Sequence, residues 1–117
     1  MDYKTCAGMC KALSDETRLK IVDMLSCGEL CACELLEHLD ISQPTLSYHM
    51  KTLTGCGLVC GEKRGSWAYY RLDGGRFPEL RSYIGQLSTD KEDCICKPTT
   101  CNCPDPETDN DEAEGKR

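Results

Sequence analysis

No run in the 117 residues approaches the roughly 18–20 apolar side chains needed to cross a bilayer, so no membrane span is expected. The opening Met1-Asp2-Tyr3-Lys4-Thr5-Cys6 is polar and lacks the apolar stretch of a secretory signal, which predicts a cytoplasmic protein. Paired carboxylates, a nucleophile with its base and a phosphate-binding loop are all missing, and no enzymatic activity or obligatory cofactor is expected. The length suits one domain of ordinary size. A core that small is often completed by a second subunit, so a dimer is expected.

Cysteine is the residue in excess, with eleven copies. An odd number cannot all pair, and cytosolic glutathione keeps thiols reduced. The remaining uses are soft-metal ligation, redox sensing and packing. Cys10, Cys56 and Cys60 fall where packing or a neighbouring turn is expected.

A net charge of −6 argues against a nucleic-acid partner until its distribution is considered. Residues 91–117 hold eight acids against four bases, whereas residues 41–76 hold five bases against two acids. The middle of the chain can therefore face phosphate.

Two units are expected: a folded domain over residues 1–90 and a polar, acidic, cysteine-bearing flexible tail over residues 91–117. Within the first, residues 3–13 read as a helix. A second begins at Ser14 as N-cap with Asp15 and Glu16 in its first turn, buries Leu19, Ile21, Val22 and Leu25, and ends at Gly28. A third covers about residues 32–39, with Leu35, Leu36 and Leu39 inward and His38 on the surface. Ser42 caps a fourth, in which Pro44 is tolerated in the first turn. Its Leu46, Met50 and Leu53 recur at i, i+4 and i+7, one apolar face. Residues 58–62 and 67–72 read as strands around a basic turn, Lys63-Arg64-Gly65-Ser66. A last amphipathic helix over residues 76–87 turns Phe77, Leu80, Ile84 and Leu87 inward.

Helix–turn–helix followed by a basic hairpin is the order of a winged helix: mainly α with a small β-hairpin. On the fourth helix Pro44, Ser47, Tyr48 and Lys51 lie opposite the apolar face, with Thr45 and Thr52 flanking them. Hydroxyls, a tyrosine and a lysine suit base edges and phosphates.

Four segments resemble the arsenical-resistance repressor family (ArsR/SmtB). They are Ala12-Leu13-Ser14-Asp15-Glu16-Thr17-Arg18-Leu19, Gly28-Glu29-Leu30-Cys31-Ala32-Cys33-Glu34-Leu35, Ser42-Gln43-Pro44-Thr45-Leu46-Ser47-Tyr48-His49-Met50-Lys51 and Trp67-Ala68-Tyr69-Tyr70-Arg71-Leu72. The match is ordered and covers about residues 7–90. It implies a homodimeric winged helix joined through its first and last helices, repressing metal-resistance genes and leaving double-stranded operator DNA when metal binds. The helix from Ser42 would be the recognition helix and the 58–72 hairpin the wing. The expected DNA contacts are Ser42, Gln43, Thr45, Ser47, Tyr48, His49, Lys51, Lys63 and Arg64. His49 stands where the family commonly has a histidine, with a packing or phosphate-contact role expected.

By the same resemblance, Cys31-Ala32-Cys33 occupies the arsenic motif of the family. Arsenite is thiophilic and forms three bonds, so a full site supplies three thiolates. Cysteines at i and i+2 diverge by roughly 200° within a helix but point together in an extended segment. Both reach one ion only if the chain at 31–33 is not fully helical. The motif's third cysteine is Leu36 here. Cys94 and Cys96, or alternatively Cys101 and Cys103, are expected to complete the site or build a second one. The expected inducer is As(III), with Sb(III), Cd(II) or Pb(II) open because they also favour thiolates. Cys6 stays open because some relatives use N-terminal cysteines for cadmium or lead. A zinc, nickel or cobalt sensor is disfavoured because residues 76–87 lack histidine. A thiol-redox or persulfide switch is a further alternative. A metal buffer would leave the helix–turn–helix and wing unexplained.

Overall fold

The computed structural model describes residues 1–96. Five helices and a small sheet follow in the order α1 (Tyr3–Ala12), α2 (Glu16–Leu25), β1 (Leu30–Cys31), α3 (Ala32–His38), α4 (Gln43–Gly55), β2 (Val59–Arg64), β3 (Trp67–Leu72) and α5 (Arg76–Leu87). The sheet is antiparallel in the order β1-β3-β2, so β3 is central and the wing carries a short third strand.

Local chemistry sets the helix ends. The N-cap of α2 is Asp15, whose carboxylate accepts from the Arg18 amide at 3.1 Å; Ser14, the expected cap, instead donates its hydroxyl to Lys11 O at the end of α1. Helix α2 stops at Leu25 with Ser26 as its cap, ahead of the expected end at Gly28. Ser42 caps α4 as its sequence predicts, accepting from the Thr45 amide. Beyond Cys56 at the far end, Gly57 has φ +87°, the left-handed conformation that glycine supplies after a helix.

Burial follows periodicity, with instructive exceptions. Ile21, Leu25, Leu35, Leu39, Leu46, Met50, Leu53 and Val59 form one buried cluster; Cys6, Met9, Leu58 and Leu80 form a second. Leu13 and Cys56 pack against both and join them. Leu19, expected in the α2 stripe, is 51% exposed. The stripe centres on Ile21 and Leu25, and Leu19 lies about 200° from Ile21 around the helix. Ile84 and Leu87, expected inward, are 44% and 47% exposed, because α5 outruns its cover: Leu80 is buried and Phe77 half-buried, but nothing in the single described chain covers the last turns. Tyr3 is also exposed and meets the half-buried Tyr83 ring edge-on at 6.4 Å, so the open face spans both terminal helices.

The wing turn is tighter than expected. Lys63 and Arg64 belong to β2, paired with Ala68 and Trp67, and only Gly65 and Ser66 lie between the strands. Gly65 takes φ +63° while Ser66 has no positive φ, the combination a two-residue type II′ hairpin uses. Among the described residues no helix is long and apolar enough to cross a membrane.

Candidate ligand site and DNA-facing surface

The Cys31–Cys33 pair sits where a strand becomes a helix. Cys31 is the last residue of β1, extended at φ −87° and ψ 163°, opposite Tyr69 of β3; it is also the N-cap of α3. Cys33 is the second residue of that helix. One extended residue removes the divergence a continuous helix would impose, and the two Sγ atoms lie 2.7 Å apart. Cys31 is buried and Cys33 exposed, so the pair opens on one side. The Cys31 amide donates to Glu34 Oε1 at 2.8 Å, pinning the helix start to its own first turn. That bond holds the Glu34 carboxyl below its ordinary pKa. The hydrogen bond with Cys31 pushes the Cys33 thiol up, and burial and repulsion from Cys31 add to it. Two thiols this close are suited to a divalent or trivalent soft centre that replaces both protons.

The tail cysteines form a second pair: Cys94 and Cys96 have Sγ atoms 3.3 Å apart, and the Cys94 thiol raises the pKa of Cys96. Among the described residues no three Cys, His, Asp or Glu side chains converge as a metal cluster, so Cys94 and Cys96 do not join Cys31 and Cys33 in one group. Cys101 and Cys103 lie outside the described residues. Cys10, expected to pack, is exposed on α1, while Cys6 is buried beneath it. Cys56 and Cys60 are half-buried, with their thiols directed at Leu53 O and Asp73 Oδ2.

On α4, Gln43, Thr45, Ser47, Tyr48 and Lys51 are exposed together, Tyr48 to 64%. Ser42 shares its hydroxyl between capping and Thr45 Oγ1. His49 departs from the expected set of DNA contacts. It is buried beside Met50, and its Nδ1 lies 3.0 Å from Arg18 Nη1 and 4.0 Å from Asp15 Oδ2. With Arg18 donating, the ring proton sits on Nε2. Arg18 Nε also donates to Ala12 O, so one arginine ties the end of α1, α2 and α4 together. Periodicity puts His49 at the edge of the apolar face; its partners, far away in sequence, turn it inward.

The Arg18 amide holds the Asp15 carboxyl below the usual carboxylate range, helped by the positive charge of the Arg18 side chain. A depressed folded-state pKa means the folded chain binds that proton less readily than the unfolded chain. The stabilisation is present above about pH 3.9 and is lost as pH falls through the folded value. Asp15→Asn is expected to lower Tm at neutral pH, with the gap from wild type closing below about pH 4. A gap independent of pH would leave the carboxylate without this role.

The wing carries a link that no local pattern reveals. Arg64 donates to both carboxylate oxygens of Glu29, at 3.0 and 2.7 Å, and to Glu62 at 3.1 Å, with its guanidinium 4.4 Å from the Tyr69 ring centroid. Arg64, expected as a phosphate contact, is clasped to the loop just before β1. Lys63, its neighbour, is exposed. Between α3, α4 and the wing lies a cleft of about 450 Å³, in which Cys33 meets Gln43, Ser47, Lys63 and the 56%-exposed Trp67. No sequence pattern foretells this cleft.

Helices α2 to α4, the last with an exposed polar face, together with the β2–β3 hairpin that pairs with β1, define a winged helix-turn-helix DNA-binding regulator. Comparison with known proteins narrows the class. The model of the bacterial regulatory protein arsR family matches residues 15–60. The arsenical resistance operon repressor of Staphylococcus aureus is 45% identical over 97 residues, covering 83% of this chain and 93% of that one. The protein of the same name from Staphylococcus xylosus is 48% identical over 101 residues, with the same shares. Among solved structures, an ArsR-like transcriptional regulator from Rhodococcus sp. RHA1 superposes with a TM-score of 0.65 at 30% identity, over 73% of this chain and 80% of that one. The chain belongs to the arsR family of bacterial regulatory proteins, and it is a transcriptional regulator rather than an enzyme.

Proposed function

We propose that this chain is an arsenite-responsive repressor that binds operator DNA as a homodimer and lets go when As(III) bridges Cys31 and Cys33. The observation that carries it is the 2.7 Å thiol pair at the β1–α3 junction, against the helix that presents Gln43, Ser47, Tyr48 and Lys51. The names of the staphylococcal relatives support arsenic as the inducer and do not favour the cadmium, lead or thiol-redox alternatives. Sb(III), with the same preference for sulfur, is a second inducer. A third thiolate comes from the tail, through Cys94 and Cys96 or through Cys101 and Cys103. The folded unit over 1–90 thus carries recognition, and residues 91–117 serve the site. The reducing cytoplasm keeps these thiols available.

Release follows from where the ion is held. An ion seated on Cys31 and Cys33 fixes the angle between β1 and α3. Helix α3 packs on α4, and β1 pairs with β3 of the wing, so both DNA-facing elements shift together. A dimer whose recognition helices no longer match successive major grooves leaves the DNA.

Arsenite titrated into the reduced protein–operator complex, followed by fluorescence anisotropy, tests the proposal, with a version truncated after Glu92 run beside the full chain. Release of the full chain at lower arsenite than the truncation supports the sensor and its tail ligand. Retention of DNA at saturating arsenite defeats the sensor. Lys63→Ala is expected to weaken binding to all sequences and to flatten the salt dependence by about 0.9 logarithmic units for each phosphate left without its cation. An unchanged slope removes the wing lysine from the DNA.

A further inference from the structure

At the tip of the wing, a guanidinium expected on phosphate is already engaged within the chain. Arg64 is the last residue of β2, next to the exposed Lys63 and paired across the turn with the 56%-exposed Trp67. Its fork closes on both carboxylate oxygens of Glu29, while Glu62 accepts a third, single bond and the Tyr69 ring lies against the cation. One positive charge faces two negative ones. Counting Lys63, these four side chains carry no net charge, on the part of the wing that would meet DNA.

The fold does not depend on this clasp. Backbone pairing with Trp67 already fixes Arg64 in the sheet, and the side chains of Arg64 and Glu29 stay 45% and 31% exposed, where an ion pair adds little to folding. What is specific is the fork. Two parallel N–H···O bonds to a carboxylate reproduce the way a guanidinium holds a phosphate, so Glu29 occupies the place a DNA phosphate would take. Glu62, offering one oxygen at 3.1 Å, has no comparable grip.

We infer that Glu29 is a brake on DNA binding: it acts as an internal phosphate mimic and withholds Arg64 from the DNA backbone. In the wild-type complex the wing reaches phosphate through Lys63, and Arg64 stays with Glu29. Glu29 lies two residues ahead of Cys31, in the loop that leads into β1, so the grip on Arg64 hangs from the same short segment as the thiol pair. The resting affinity for DNA is thereby set outside the recognition helix, at one carboxylate.

This inference rests on the DNA binding proposed above, and the test separates the two. Reduced full-length wild type, Glu29→Gln, Arg64→Gln and the double variant are titrated against a labelled duplex taken from upstream of the protein's own coding sequence, and against a mixed-sequence duplex. Anisotropy is read over a range of salt. Glu29→Gln is expected to steepen the salt dependence by about 0.9 logarithmic units, one more phosphate, and to tighten binding roughly fivefold at about 0.1 M salt. Both duplexes should show the gain, because phosphate contacts carry no sequence. Arg64→Gln and the double variant are expected to keep the wild-type slope. Circular dichroism checks that these partly exposed substitutions leave the fold alone. Loss of a negative charge by itself would also tighten binding in the Arg64→Gln background, so a gain that persists there overturns the inference. So does a slope that flattens in Arg64→Gln, which would put Arg64 on the DNA already. Weaker binding by Glu29→Gln overturns it too, making the clasp a strut for the wing. A wild type that binds neither duplex removes the proposed repressor and the brake together; the other adverse results remove the brake and leave the repressor standing.

Discussion

Cys31→Ser is expected to raise the arsenite concentration that releases operator DNA by roughly a hundredfold or more, while leaving DNA affinity in the absence of arsenite unchanged. The second thiol of a chelating pair acts at a high effective concentration, and losing it typically forfeits two to four orders of magnitude. Serine keeps the size of cysteine and the extended backbone, so β1 still pairs with Tyr69 and the amide still reaches Glu34. Anisotropy with and without arsenite separates sensing from folding, and far-UV circular dichroism checks the fold. Release at wild-type arsenite concentrations would falsify the assignment of Cys31 as a ligand. The same substitution at Cys10, exposed on α1 and remote from the pair in sequence, is expected to change nothing in this assay.

A second large effect is expected from Ile84→Asp. Ile84 and Leu87 on α5, with Tyr3 on α1, leave an apolar face open on a single chain. In a dimer joined through these helices, a carboxylate at 84 would be stranded among hydrocarbon at a penalty of several kcal/mol. The dimer dissociation constant should rise by at least about a hundredfold, equivalent to roughly 2.8 kcal/mol. Operator binding falls with it, since a lone protomer grips one half-site. The monomer itself should fold normally, because the side chain is already substantially exposed within one chain. Sedimentation or light scattering reads the assembly, and thermal unfolding reads the fold. An unchanged dimer would move the interface elsewhere.

Much of this architecture is legible from local pattern. Ser42 before Pro44, then Leu46, Met50 and Leu53 one turn apart, announce α4 and its buried face; residues 76–87 announce α5 to the residue. The requirement for a non-helical residue at the convergent cysteine pair is also local, and Cys31, extended, is that residue. What escapes is whatever depends on distant partners. A two-residue strand has no alternation to detect, and β1 exists only because Tyr69 and Tyr70 lie beside it. Arg64 looks like a free cation until Glu29 is seen across a separation of 35 residues. His49 looks half-exposed until Arg18 reaches it from 31 residues away. The amphipathic pattern of α5 reveals an apolar face but not its cover, which is why pattern alone puts Ile84 and Leu87 in the interior of one chain. A cleft bounded by three elements has no signature in any one of them.

The short strand β1 has a consequence for how such a protein changes its diet. Cys31 is simultaneously a rung of the sheet, the first peg of a helix and a thiol, so under the proposed function detection and transmission would meet at one residue. In the proposed sensor, Cys33 and Leu36 beside that residue would select the visitor, and the backbone ladder to Tyr69 with the clasp from Glu29 to Arg64 would carry the message. The palate can be altered by exchanging side chains while the messenger is left alone. A lineage exposed to a new toxic element therefore need not reinvent its switch, only re-season the pocket beside it.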